Sequence, residues 1–170
     1  MALGMVVGKK VKTHSQYLGC IFENNRFQKL IPIVIEKVKE IRKLHPFDAI
    51  AFTGTSGAAL AFILSYKLRI PLICVRRNKN DGHHAKCPAW MSSYPSLLEG
   101  MMDAKSYLIV DDFIEHGTTV NRIIGSINKL PKHGTCAAIL LYSVPLSGKR
   151  FDFFEKSNVQ IPVFEIKDET

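Results

Sequence analysis

An open, doubly wound α/β sheet, mostly parallel and flanked by helices, is the fold class that this sequence predicts. Three observations predict it. Short apolar runs at 47–54, 70–75, 107–112 and 136–144 are separated by helical patterns or a loop, in the order β-α-β-loop-β-α-β. Two of the runs, FDAIAFTG and YLIVDD, end in turn-forming or acidic residues that lead into a helix. Strand, helix and strand at that spacing form a βαβ unit, whose strands pair in parallel through a right-handed crossover.

The elements follow in order. Residues 28–44, QKLIPIVIEKVKEIRKL, carry Ile31, Ile35, Val38, Ile41 and Leu44 at helical spacing. Pro32 fits a first helical turn, and His45-Pro46 is a stop signal. FDAIAFTG is short, apolar and cut by a glycine, which predicts a buried strand. A helix at 57–69 and a second apolar strand at 70–75, IPLICV, complete the first βαβ unit. Residues 76–100 have little periodicity and many turn formers, which predicts a long loop or mobile ribbon. So long an irregular stretch inside a compact domain is usually functional or disordered. A strand at 107–112 leads to a helix at about 118–130 carrying Val120, Ile123, Ile124, Ile127 and Leu130, closed by Lys132-His133-Gly134. CAAILLYSV, 136–144, is a buried strand, and a last strand is expected at about 161–166.

The length of 170 residues suggests one domain, 1–170. No apolar run approaches the 18 residues of a membrane span. The opening MALGMVVGKK carries its charges after its apolar part, the reverse of a secretory signal. Cys20, Cys74, Cys87 and Cys136 form no CxxC pair, so they are expected as reduced thiols in a cytoplasmic protein. The net charge of +8 suits an anionic partner: nucleic acid, an acidic membrane surface or a small polyphosphate. Charge alone does not choose among them.

Position does. In YLIVDDFIEHGTTVNRII, 107–124, an apolar strand delivers Asp111 and Asp112 to its carboxyl end, and a short loop with Gly117, Thr118 and Thr119 opens a helix. Ligands of open α/β sheets bind at that edge. Unpaired backbone N–H groups at the helix start suit a phosphate, with the threonine hydroxyls as further donors. The two acids suit the vicinal hydroxyls of a sugar. Upstream, Thr53-Gly54-Thr55-Ser56-Gly57 is a second donor-rich loop ahead of a helix. The ribbon adds Arg76, Arg77, Lys79 and Lys86 against Asp81 alone, four positive charges less one, or +3 within residues 76–86.

The segment Leu108-Ile109-Val110-Asp111-Asp112-Phe113-Ile114-Glu115-His116-Gly117-Thr118-Thr119 resembles the PRPP-binding signature of the type I phosphoribosyltransferases. The resemblance spans roughly residues 28–144 and leaves both termini for the small variable hood of that family. It implies transfer of the ribose 5-phosphate of PRPP to a nucleobase, purine or orotate, with release of pyrophosphate and with Mg2+. Asp111 and Asp112 then hold the ribose hydroxyls, directly or through Mg2+, and residues 115–119 cradle the 5′-phosphate. Thr53, Gly54, Thr55, Ser56 and Gly57, with Arg76 and Arg77, hold pyrophosphate. Lys79, His83 and His84 resemble the closing loop of the orotate enzymes. Glu115 stands where the hypoxanthine–guanine enzymes carry an acid near the purine, so it is the candidate proton acceptor. His116 replaces a small residue of the cradle. The resemblance also implies a homodimer. The alternative is a non-catalytic regulator on the same fold that binds PRPP or a nucleotide and contacts nucleic acid. The sequence shows no helix-turn-helix, zinc finger or basic tail to support nucleic-acid binding.

Overall fold

The computed structural model describes residues 23–76, 98–114, 117–143 and 160–166. Helix α1, Asn24–Leu44, buries Leu30, Val34, Val38 and Ile41, a stripe with steps of four, four and three residues. It starts four residues earlier than its apolar pattern predicts, so Pro32 lies inside the helix instead of in its first turn. The ring is tolerated there because Pro32 and Gln28, four residues back, are both exposed, leaving the unpaired carbonyl to water. Leu44 is largely exposed rather than part of the buried face.

Strand β1, Ala49–Phe52, is buried throughout. Helix α2, Gly54–Leu68, returns the chain to β2, Leu72–Val75. The expected irregular stretch 76–100 ends in a strand, β3, Leu98–Gly100, which pairs antiparallel with β2. Strand β4, Ser106–Asp111, leads to helix α3, Thr118–Ile127, then to β5, Thr135–Leu141, and β6, Val163–Glu165, follows. The sheet order is β3-β2-β1-β4-β5-β6, with every pairing parallel except β2 with β3. The predicted class, an open and mostly parallel sheet flanked by helices, is the one observed.

Side chains alternate across such a sheet, and the two faces make two cores. Ile50, Phe52, Leu108, Val110, Ala138 and Leu140 pack beneath α1 and α2. Ala49, Ala51, Tyr107, Ile109, Ile139 and Leu141 pack against α3 through Val120, Ile123 and Ile127. Asp48 fixes the entrance to β1: its carboxylate accepts the N–H groups of Lys105 and Ser106 at 3.0 and 3.1 Å, locking the start of β4 beside it.

This order places the site. The connection from β1 runs through α2 to β2 on one side, whereas β4, on the other side of β1, sends its chain through α3 to β5. Between β1 and β4 the winding reverses, and the two connections diverge to opposite faces of the sheet. A crevice opens at such a switch point, at the carboxyl ends of the strands. Among the described residues no helix is long and apolar enough to cross a membrane.

Candidate functional site at the β1–β4 switch point

Two helices begin at this crevice, and neither takes a side-chain cap. Thr53 occupies the N-cap of α2, a position that Thr favours. Its buried hydroxyl instead donates to the carbonyl of Val75, tying the ends of β1 and β2 together. Gly117 is the N-cap of α3, with a left-handed φ of 67° that costs glycine little. Neither helix has an acid in its first turn. The first N–H groups of a helix have no partner within it and carry the positive end of its dipole. Both starts are therefore suited to an anion.

The expected loop 53–57 is tighter than its composition suggests. Helix α2 begins at Gly54, so Gly54, Thr55, Ser56 and Gly57 form its first turn rather than a separate loop. Thr55 is exposed and Gly54 and Ser56 are half-buried, leaving this turn open to the crevice. Gly57 is buried and does a different job. A Cβ there would stand 2.9 Å from both Phe52 Cβ and the Val110 carbonyl oxygen, so its bare backbone lets α2 pack closely on β1 and β4. On the other side, Thr118 is exposed and Thr119 half-buried at the start of α3.

Between the helix starts stand Asp111 and Asp112, 3% and 5% exposed, the only acidic or basic side chains buried among the described residues. The Asp111 carboxylate accepts the Ser56 hydroxyl at 2.9 Å and the Asp112 N–H at 3.0 Å. Burial, and after it the neighbouring Asp112 carboxylate, push Asp111 up to about 7, against the pull of those two donors. The acids are held from behind by the two residues that follow β5. The Tyr142 N–H reaches the carbonyls of Asp111 and Asp112 at 3.3 and 3.2 Å, and the Ser143 N–H donates to the Asp112 carbonyl at 2.8 Å. The Tyr142 hydroxyl donates to the Ser56 carbonyl at 2.6 Å. In sequence Tyr142 reads only as one more member of an apolar strand, and nothing there signals its partner.

Arg76 leaves the carboxyl end of β2, on the same edge. Its guanidinium pairs with Glu99 of β3, at 2.6 Å from Nη2 and 2.8 Å from Nε. A phosphate at this position would compete with that carboxylate. Arg77, Lys79, His83, His84, Glu115 and His116 lie outside the described residues.

Two adjacent buried carboxylates, one of them held well above its ordinary range, fit a ligand that offers hydroxyl donors or a divalent cation. Two acids do not fill the coordination of Mg2+, which keeps waters and substrate oxygens as its other ligands. The two uncapped helix starts, each suited to an anion, lie on the same edge of the sheet as the acids.

No protein-family model matches the chain, and no curated protein matches it in sequence. Solved structures do match in fold. Adenine phosphoribosyltransferase from Saccharomyces cerevisiae, complexed with an imino-altritol bisphosphate and adenine, is similar with a TM-score of 0.58 at 20% identity, over 87% of this chain and 82% of that one. Orotate phosphoribosyltransferase from Francisella tularensis is similar with a TM-score of 0.56 at 17% identity, over 86% of this chain and 68% of that one. UMP synthase from Leishmania donovani gives 0.54 at 19% identity over 79% of this chain, which spans only 26% of that larger protein. This chain has the type I phosphoribosyltransferase fold.

Proposed function

We propose that this protein transfers the ribose 5-phosphate of PRPP to a nucleobase, a purine or orotate, releasing pyrophosphate in a Mg2+-dependent reaction. The observation that carries the proposal is the buried Asp111–Asp112 pair, tied by Ser56 to the start of α2 and followed in the chain by the uncapped start of α3. The orotate and adenine phosphoribosyltransferases with this fold support it.

In this reading the bond from C1 of the ribose to the pyrophosphate oxygen breaks as a base nitrogen bonds to C1. The electron pair of the broken bond leaves with pyrophosphate, and the sugar becomes cation-like in between. The protein's task is positioning and electrostatics. The N–H groups of Gly54, Thr55 and Ser56, together with the α2 dipole, take the pyrophosphate, joined by Arg76 once Glu99 yields it. The Gly117–Thr119 turn takes the 5′-phosphate. Asp111 and Asp112 accept hydrogen bonds from the ribose hydroxyls, and their negative charge favours the cation-like sugar. Mg2+, held through Asp111 and Asp112, would neutralise charge on the pyrophosphate as it departs. Glu115 is the proposed acceptor of the proton that the base nitrogen loses.

The hold of Glu99 on Arg76 favours a second reading, a regulator that binds PRPP or a nucleotide without turnover. One assay separates the two: PRPP, Mg2+ and each common base, with pyrophosphate release monitored. The enzyme reading expects release with at least one base; binding without release supports the regulator. Under either reading Asp112→Asn should weaken PRPP binding about 10- to 100-fold, the worth of a buried hydrogen bond to a charged group. Unchanged affinity and rate in that variant would refute the role given to the acid pair.

A further inference from the structure

We propose that Tyr142 is a positioning residue for the pyrophosphate side of this site, acting through the Ser56 peptide; the inference rests on the phosphoribosyl reading above. Tyr142 follows β5, two strands away from β1, and is fully buried on the face of the sheet that α1 and α2 cover. Its backbone is fixed first. Its N–H is shared between the carbonyls of Asp111 and Asp112, so the residue cannot shift without moving the acidic end of β4. From that anchor the side chain packs in the core on the face that α1 and α2 cover, and its hydroxyl donates to the Ser56 carbonyl at 2.6 Å.

The consequence follows from peptide geometry. A trans peptide is planar, with its C=O and the next residue's N–H pointing in opposite directions. The Tyr142 hydroxyl, by pinning the Ser56 carbonyl, therefore fixes the plane of the peptide that follows Ser56 and with it the first turn of α2, in which the Ser56 N–H is the last of the unpartnered groups that open the helix. It also steadies Ser56, whose hydroxyl is held on Asp111 at 2.9 Å. One phenol thus links the anion-binding turn of α2 to both acids. A buried tyrosine that merely satisfied its hydroxyl would carry no such bias toward one ligand.

The test is Tyr142→Phe, which keeps the ring and removes only the donor. Pyrophosphate, PRPP and ribose 5-phosphate are each titrated with Mg2+ present, alongside thermal melts. Expected are losses of about 3- to 10-fold for pyrophosphate and for PRPP, the worth of one hydrogen bond. Ribose 5-phosphate should change by less than about twofold, within the spread of a neutral substitution. Pyrophosphate affinity that holds within about twofold of wild type overturns the inference. Equal loss of all three ligands also overturns it, because that is general damage to the fold. Wild-type protein that binds none of the three overturns the phosphoribosyl reading itself, and this inference with it.

Discussion

Replacing Asp111 with Asn should make the protein more stable at neutral pH while weakening its grip on the sugar. Asp111 is almost wholly buried, and burial with the Asp112 charge lifts it from an ordinary 3.8 to about 7. The sign follows from proton linkage. An acid whose folded value lies above its unfolded one holds its proton more tightly in the folded state. At a pH below both values it is protonated in both states and has no effect. Between about pH 4 and 7 the folded protein keeps a proton that the unfolded chain has released, so stability falls as pH rises. Above pH 7 the carboxylate is charged in both states and the whole penalty stands. At about 1.4 kcal/mol per pH unit, that penalty is about 4 kcal/mol.

Asparagine escapes the penalty without disturbing the hydrogen bonds. Its amide oxygen can accept the Ser56 hydroxyl and the Asp112 N–H just as the carboxylate does. Burying the new NH2 group takes back a part, leaving an expected gain of about 2–3 kcal/mol at pH 8. For a domain of this size that raises Tm by about 4–12 °C. Thermal melts of ligand-free wild type and Asp111→Asn from pH 5 to pH 8.5 measure it. The gap should be widest at high pH and close toward pH 5. A gap that stays constant with pH, or an Asn variant that is less stable at pH 8, would refute the account of Asp111 as a strained acid. The same variant should bind PRPP about tenfold or more weakly, since the acceptor for the ribose hydroxyl is no longer charged.

Other substitutions separate packing from binding. Gly57→Ala should cost about 1–3 kcal/mol, because its methyl meets Phe52 and the Val110 carbonyl at 2.9 Å; an unchanged urea midpoint would contradict the close approach. Gly117→Ala must hold a φ of 67°, at about 1 kcal/mol, and should weaken ribose 5-phosphate more than pyrophosphate when the two are titrated separately. Asp48→Ala removes the acceptor for two backbone N–H groups at the start of β4. It should lower stability by about 1–2 kcal/mol in denaturant melts and leave PRPP affinity unchanged.

The sequence is legible where one local pattern serves one purpose. Strand β4 reads as an apolar run because Tyr107 to Val110 are buried on both faces, and Asp111 and Asp112 stand out as the acids that end it. The switch point follows from the order of strands and helices. The edge strand β3 is not legible: three residues, Leu98-Glu99-Gly100, are too few to show an alternation. The start of α2 is missed because Thr55 is a poor helix former and Gly54 enters the helix with a left-handed φ of 67°, a turn conformation that helical periodicity does not report. Thr53 reads as a ligand donor, yet its hydroxyl serves Val75, a partner 22 residues away. The link from Tyr142 to Ser56 joins residues 86 apart, and no periodicity can report such a contact.

What kind of molecule completes this crevice follows from its unbalanced charges. Helix starts are ordinarily quieted by a side-chain cap or an acid in the first turn. Here α2 and α3 have neither, although a threonine stands at the right place to cap α2 and is turned away to another strand. Among the described residues, two positive helix ends thus stand without a cap or a first-turn acid at the edge where the two buried acids stand. Moving Asp111 and Asp112 into the first turns would quiet the helices and relieve the acids together, and the chain does not do so. A simple anion would answer the helices and be repelled by the acids; a simple cation would do the reverse. The proposed ligand, with phosphates at its ends and hydroxyls or a bound cation between them, answers both halves. A phosphorylated sugar carrying pyrophosphate has that distribution of charge.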